Sequence, residues 1–187
     1  MNIVCFSGKA QHGKSTCAEI LKEQLEKNGF RVVIANYGGL VKYICKEFFG
    51  WDGVKDETGR SILQYVGTDI VRERNPDYWV RFIDSIAKLF YDHWDYMIID
   101  DARFPNELSG LKDHDVIHAR VIRPMFENSL TAEQRRHPSE TSLDNSKPDV
   151  NIVNSGSMKN LAEEIYRKLT VEIICKDQLV IPGFEKP

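Results

Sequence analysis

The sequence lacks the features that would place a protein in a membrane. None of its 187 residues belongs to an apolar run near the roughly 20 residues of a membrane-spanning helix. The N-terminus has neither the basic flank nor the cleavable apolar segment of a signal peptide. The formal net charge is only −3, so bulk charge favours neither nucleic acid nor an acidic membrane surface as a partner. We therefore expect a cytoplasmic protein that binds small anions through local arginines and lysines.

Cysteine patterns are missing as well. The four cysteines, Cys5, Cys17, Cys45 and Cys175, form no C-x-x-C pair, and no clustered zinc ligands accompany them. Three of them fall in apolar segments, which is typical of small buried thiols in a reducing compartment. No obvious Ser-His-Asp or Cys-His arrangement is present. The sequence thus gives no sign of a zinc site or of nucleophilic hydrolysis.

What the chain does contain is a regular alternation of strand and helix patterns. This alternation predicts an α/β fold with a mostly parallel sheet, and the length suits one domain over 1–187. Apolar residues in the tail, 171–187, suit either an edge strand or a cover over a neighbouring element, and both remain open. Apolar runs predict strands at 3–6, 31–35, 96–99, 116–122 and 151–153.

A phosphate-binding loop follows the first predicted strand. The segment from Gly8 to Thr16 fits the pattern G-x-x-x-x-G-K-[S/T], and helical periodicity begins directly after it. Gly8 and Gly13 would let the backbone curl so that its N–H groups point at a phosphate. Lys14 would reach the β- and γ-phosphates of ATP, and the Ser15 hydroxyl would hold Mg²⁺. We expect Gly8, Gly13, Lys14, Ser15 and Thr16 to bind the phosphate donor.

Two acids end the third predicted strand. Asp100 and Asp101 follow the apolar run 96–99, an arrangement that places a carboxylate beside the metal of a phosphate-binding loop. We expect Asp101 to orient Mg²⁺ through its water or to hold an arginine, with Asp100 as the second candidate for this role. The alternative for either acid is a cap on a turn or helix. Arg103 comes next in the chain, so it begins near the centre of the site.

The segment 123–147 is polar, charged and without apolar periodicity. It is longer than an ordinary connection, which favours a mobile lid over core. Its arginines include Arg123 and Arg136, which we expect at the donor nucleotide and at the transferred phosphoryl group, respectively. A solvated run of charge is the alternative explanation for each of them.

Several stretches together resemble the bacteriophage deoxynucleoside monophosphate kinases. The resemblance covers nearly the whole chain and implies a P-loop kinase fold with a five-stranded parallel core flanked by helices. It further implies transfer of the γ-phosphoryl group of ATP to a deoxynucleotide, in the host cytoplasm if the chain is phage-encoded, and it suggests a homodimer. The stretches are 60–69 with Arg72, 76–80, 101–107, 137–140 and 154–157.

The resemblance also implies roles for single residues. Arg103 would act in catalysis, and Asn154 and Gly156 would lie beside the adenine. Arg60 and Arg72 lie twelve positions apart on one predicted helix, 60–74, or about 18 Å, so both reach one phosphate only if the helix breaks near Gly67. For Trp79 a place in the core is the alternative. The expected acceptor residues, mostly within the region 38–80, are Lys9, Arg60, Gln64, Thr68, Asp69, Arg72 and Trp79.

Two other functions stay open on the sequence alone. A kinase for a hydroxyl acceptor, such as a dephospho-coenzyme A kinase, would need a carboxylate base, and Asp101 could serve. An ATP-binding regulatory switch would need a water-orienting residue and a partner surface. The number of arginines outside the loop favours a second anionic ligand over a switch.

Overall fold

The computed structural model describes residues 1–178 and shows a five-stranded parallel sheet with the strand order β2-β3-β1-β4-β5. This confirms the predicted α/β fold with helices on both faces. The predictions for Leu179, Val180 and Ile181 lie outside the described residues. The strands are β1 (Asn2–Ser7), β2 (Val32–Ala35), β3 (Tyr96–Ala102), β4 (Val116–Ile122) and β5 (Val150–Val153).

The strands read as apolar runs because both faces of the sheet are covered. On one face, α1 (Lys14–Glu26) packs with the C-terminal helices against side chains such as Phe6 and Ile98. On the other face, Cys5 and Ile99 contact a second core that includes Trp79. The helices around this second core are α2 (Gly38–Phe48), α3 (Glu57–Gln64), α4 (Val71–Arg74), α5 (Tyr78–Leu89) and α6 (Pro105–Ser109).

The helical region that was predicted at 60–74 is not one regular helix. Between α3 and α4 the segment Tyr65–Ile70 is π-helical, and it contains Gly67. The carbonyl of Gly67 accepts a hydrogen bond from the Trp79 indole N–H at 2.9 Å. A π-helical turn is wider than an α-turn, so it changes the direction in which the following side chains point. The expected irregularity near Gly67 is therefore present, and it separates Arg60 from Arg72.

The segment 123–147 is more ordered than the expected lid. It forms α7 (Ala132–Arg136) and α8 (Pro138–Thr141), and Leu130 and Leu143 are buried. Buried Gln134 donates from Nε2 to the carbonyl of Glu57 at 3.2 Å. Two isolated leucines thus anchor this segment without any periodic pattern, and its mobility as a lid stays a prediction.

The end of the described chain is helical. After α9 (Met158–Ile165) comes a π-helical stretch, Tyr166–Thr170, and then α10 (Val171–Gln178). The first part of the tail thus extends the last helix instead of forming an edge strand. Within residues 1–178, no helix has the length and apolar character needed to cross a bilayer. Cys5, Cys17 and Cys45 are buried free thiols, as expected, whereas Cys175 is exposed.

Candidate active site

The loop between β1 and α1 has the curled backbone that its sequence predicts. Gly8 and Gly13 have φ angles of 138° and 95°, in the region that favours glycine. A Cβ atom on Gly8 would lie 2.4 Å from the carbonyl oxygen of Val121, and one on Gly13 would lie 2.7 Å from Nδ2 of Asn154. Both fixed glycines of the pattern are thus required by contacts with the ends of β4 and β5.

Lys14 is buried at the start of α1. Its Nζ donates to the carbonyls of Gly8 at 2.8 Å and Lys9 at 2.9 Å. Burial and, second, the charge of Arg103 lower the pKa of Lys14 to about 7. The ammonium group is therefore held at the loop, where an anion would favour its charged form.

The two strand-end acids have different partners. Asp100 accepts a hydrogen bond from the Ser15 hydroxyl at 2.5 Å, whereas Asp101 accepts from the backbone N–H groups of Tyr37 and Gly38, each at 2.8 Å. The metal prediction for Asp101 therefore needs correction, since both its oxygens are committed to the start of α2. Its observed place is the capping alternative.

Ser15 and Asp100 fit a magnesium ion. Oδ1 of Asp100 is buried and has no hydrogen-bond partner among residues 1–178. A hydroxyl and a carboxylate are hard oxygen ligands of the kind that Mg²⁺ prefers, and such sites leave most positions to water and substrate phosphates. The same part of the chain holds no cluster of three or more His, Cys, Asp or Glu that could bind a metal alone.

Residues from β4 and β5 meet at one side of the loop. The Asn154 N–H donates to the carbonyl of Ile122 at 2.8 Å, and its side chain donates to the carbonyl of His12 at 3.0 Å. The Arg123 guanidinium lies 3.9 Å from the centroid of the Phe126 ring. Gly156 follows in the turn before α9, and Thr16 lies on the first turn of α1. Asn154 thus contacts the loop through His12, and Arg123 contacts it through the carbonyl of Gln11 at 3.4 Å.

Arg103 and Lys9 are both held by the segment around α8. Arg103 donates from Nη1 to Glu140 at 2.5 Å, and Lys9 forms an ion pair with Asp144 at 2.5 Å. Lys9 also donates to the carbonyl of Glu140 at 2.6 Å. Lys9 is thus paired with the segment around α8, and its contact with an acceptor stays a prediction.

A cleft of about 620 Å³ opens between α4 and α6. The Arg72 guanidinium lies 4.1 Å from the centroid of the Phe104 ring and forms an ion pair with the buried Glu107. Glu107 also accepts the N–H groups of Arg103 at 2.5 Å and Phe104 at 3.0 Å. Burial raises the pKa of Glu107 to about 7, and its pairing with Arg72 opposes that rise. The cleft is lined by Thr68, Asp69, Arg72, Glu73, Pro76, Asp77, Phe104, Pro105 and Asn106.

Arg60 and Gln64 are half-buried on α3 and do not line this cleft. Arg60 belongs to a group of cations that the sequence reasoning missed. Burial lowers the pKa of Lys55, and the nearby charges of Lys42 and Arg60 lower it further. Lys42 and Lys55 lie on separate segments, so no local pattern joined them to Arg60.

The structure corrects one further prediction, for Trp79, and leaves that for Arg136 a prediction. Trp79 is only 1% exposed, and its indole N–H is bound to Gly67, so it belongs to the core and offers no face to a base. Arg136 is exposed on α7, and within residues 1–178 no hydrogen bond or ion pair joins it to the loop. Arg103 and Arg136 are the two predicted catalytic arginines. Of these, only Arg103 contacts a residue, Glu140, that also binds the loop.

Comparison with known proteins agrees with this architecture. A family model described as deoxynucleotide monophosphate kinase matches residues 46–165, well over half of the chain. The match begins after the phosphate-binding loop, so it rests on the acceptor region, the lid and the later strands. A protein of Acanthamoeba polyphaga mimivirus named "Putative deoxynucleotide monophosphate kinase" is 28% identical over 88% of this chain and 94% of its own length.

Solved structures share the fold at low identity. A sugar kinase from Janibacter sp. has a TM-score of 0.56 and 15% identity, covering 91% of this chain and 95% of its own. The shikimate kinase of Aquifex aeolicus has a TM-score of 0.50 and 12% identity, covering 93% and 98%. These likenesses show the P-loop kinase fold. Together with the family match, they lead to one assignment: this chain belongs to the deoxynucleotide monophosphate kinase family.

Proposed function

We propose that the protein transfers the γ-phosphoryl group of ATP to a deoxynucleoside 5′-monophosphate, giving ADP and a deoxynucleoside diphosphate for DNA synthesis. The observation that carries this proposal is the order of three neighbouring features. Lys14 and the loop lie on one side, the cleft with Arg72 lies on the other, and Arg103 connects them through Glu140 and Glu107. We place the reaction in the cytoplasm, of the host cell if the chain is phage-encoded.

The donor side uses mainly backbone groups. The N–H groups of the loop and of the first turn of α1 would bind the ATP phosphates, with Lys14 at their β- and γ-oxygens. Ser15 and Asp100 would hold Mg²⁺, which would neutralise charge on those phosphates. Arg123, Asn154 and Gly156 would surround the nucleoside.

The acceptor side uses side chains. Arg72 would bind the acceptor from the cleft, where the Phe104 ring and Pro105 offer apolar surface to a base. An oxygen of the acceptor phosphate attacks the γ-phosphorus, and the bond from that phosphorus to the β-phosphate oxygen breaks as ADP leaves. The attacking oxygen is already ionised near neutral pH, so no general base is needed. Arg103 would stabilise the charge on the group in transit.

The positions of the acids disfavour a hydroxyl acceptor. Such an acceptor needs a carboxylate base within hydrogen-bond reach. Asp101 is buried and bound by two backbone N–H groups, and Asp100 is bound by Ser15. Asp101 is therefore not available as a base, and the remaining oxygen of Asp100, Oδ1, is buried beside Ser15 and is assigned here to Mg²⁺.

The test is a screen of acceptors with ATP and Mg²⁺, read as ADP release. The four deoxynucleoside monophosphates, their ribose counterparts and dephospho-coenzyme A are compared at equal concentration, and diphosphate products are identified by mass. We expect ADP release with at least one deoxynucleotide, and at least about a hundredfold slower release from the Lys14→Ala variant. Release with dephospho-coenzyme A alone would establish the hydroxyl-acceptor alternative, and slow release without any acceptor would favour a switch.

A further inference from the structure

Glu140 on α8 binds two parts of the site at once. Its side chain is only 6% exposed. Oε2 accepts the backbone N–H of Ala10, in the phosphate-binding loop, at 3.0 Å, and Oε1 accepts from Nη1 of Arg103 at 2.5 Å. One buried carboxylate therefore joins the loop to Arg103.

The backbone that carries Glu140 is fixed on both sides. Nη1 of Arg103 also donates to the carbonyl of Ser139 at 3.3 Å, and Lys9 binds the carbonyl of Glu140. Further along, Nη2 of Arg120 donates to the carbonyls of Leu143 at 2.5 Å and Ser146 at 2.7 Å. These contacts leave the carboxylate little freedom, so it can orient a flexible partner.

Arg103 is the partner that needs orientation. Its N–H is held by Glu107, the same residue that pairs with Arg72 beside the acceptor cleft. Within residues 1–178, neither Nε nor Nη2 of Arg103 has a hydrogen-bond partner. One edge of the guanidinium therefore remains for a phosphate, while Nη1 fixes the direction of that edge.

Charge balance supports the same role. Arg103 and Lys14 lie close enough for their charges to interact, and the charge of Glu140 acts on Lys14 in the opposite direction. Two cations at one site repel each other, and a carboxylate beside them reduces that repulsion. Glu140 thus offsets this repulsion while it holds Arg103.

We propose that Glu140 is a positioning residue for phosphoryl transfer. Its carboxylate aligns Arg103 between the loop and the acceptor cleft, and it binds the segment 123–147 to the loop through the N–H of Ala10. This inference rests on the proposed function and adds a residue that it did not include. Glu140 itself touches neither nucleotide. It acts through the direction of the Arg103 guanidinium, because small errors in the placement of a catalytic group cost about a hundredfold in rate.

A double-mutant cycle tests the role. We expect Glu140→Gln to lower kcat by about 10- to 100-fold while the KM for ATP changes by less than about threefold. In an Arg103→Lys background, the same substitution should cost less than about threefold, because Arg103 is the group through which it acts. Glu133→Gln, an exposed lid acid on α7, is the matched control and should leave kcat unchanged. Multiplicative losses in the double variant would overturn the proposal.

A second measurement does not depend on the acceptor. Hydrogen exchange of the Ala10 amide, followed by NMR, should be slow in the wild type and at least about tenfold faster in Glu140→Ala, but not in Glu133→Gln. Unchanged exchange would overturn the inference even if deoxynucleotides are phosphorylated. If no deoxynucleotide is phosphorylated, the proposed function fails. The double-mutant cycle is then measured with the rate of ATP hydrolysis as its readout.

Discussion

The two halves of the candidate site are built in different ways. The phosphate-binding part of the donor half consists of consecutive residues whose backbone conformation carries the recognition, from Gly8 to Thr16. The acceptor half is assembled from side chains on α4, α6 and the π-helical segment, and its arginine depends on the buried Glu107. Consequently, the phosphate-binding loop of the donor half can be recognised as a sequence motif, whereas the acceptor half depends on pairs of distant residues.

Lys14→Ala should have the largest effect, because Lys14 is the one donor-side group that the backbone cannot replace. We expect kcat to fall at least about a hundredfold, in line with the loss of a preorganised charged donor. The fold should survive, since among residues 1–178 the side chain makes hydrogen bonds only to two loop carbonyls. Steady-state kinetics with thermal unfolding checks both points.

Lys27→Ala is the control for this variant. Lys27 is an exposed lysine just beyond α1, and in the described part of the chain it pairs only with Glu23, at 4.0 Å. It should leave kcat unchanged. Full activity in Lys14→Ala would remove the phosphate-loop assignment altogether.

The two adjacent acids offer the next comparison. Asp100→Asn should lower kcat by about a hundredfold and raise the Mg²⁺ concentration needed for half-maximal activity, because it removes the charged ligand beside Ser15. Asp101→Asn should instead lower the melting temperature, since an amide cannot accept from both N–H groups of the α2 terminus as the carboxylate does, a loss of about 1–3 kcal/mol.

Magnesium titration and thermal unfolding of the two variants separate these outcomes. A rise in the Mg²⁺ requirement of Asp101→Asn, with Asp100→Asn unaffected, would restore the metal assignment that the sequence favoured.

Arg72→Lys tests the acceptor half and should have a smaller effect. Lysine keeps the charge but loses the planar fork and the stacking on Phe104. We expect the KM for the deoxynucleotide to rise about tenfold, with the KM for ATP nearly unchanged. Arg74→Lys, an exposed position on the same α4, provides the control. An equal rise in both KM values would move Arg72 to the donor half.

Much of the fold was predictable because parallel strands buried on both faces leave long apolar runs. The strand prediction at 116–122 matches β4, and the others differ by a few residues at their ends. The metal ligand was assigned to Asp101 instead of Asp100 because the third predicted strand stopped at Ile99. Side chains alternate along a strand, and β3 continues through Ala102, so Asp100 shares the face of Ile98 toward α1 whereas Asp101 faces α2.

The buried glutamates could not be predicted in the same way. Glu140 lies 37 positions from Arg103 and 130 from Ala10, and Glu107 lies 35 from Arg72. No periodicity or spacing relates such residues. The sequence segments that contain them supported a family resemblance, but their roles come from packing between distant elements.

Proton uptake on ATP binding should show the smallest effect, and it measures the charge coupling between the two halves. In the free protein the pKa of Lys14 is lowered to about 7, so at pH 8 this lysine is mostly neutral. Bound phosphates raise its pKa, so ATP binding at pH 8 should take up close to one proton. At pH 6 Lys14 is already charged, so it should take up no proton. The affinity for ATP should therefore fall as the pH rises above about 7.

Calorimetry in buffers of different ionisation enthalpy measures the proton uptake. Arg103→Gln should reduce it, because the cation that depresses the pKa is gone, and Lys14→Arg, which does not titrate, should abolish it. Equal uptake in all three proteins would show that the proton is bound elsewhere and that the charge of Arg103 does not reach the donor half.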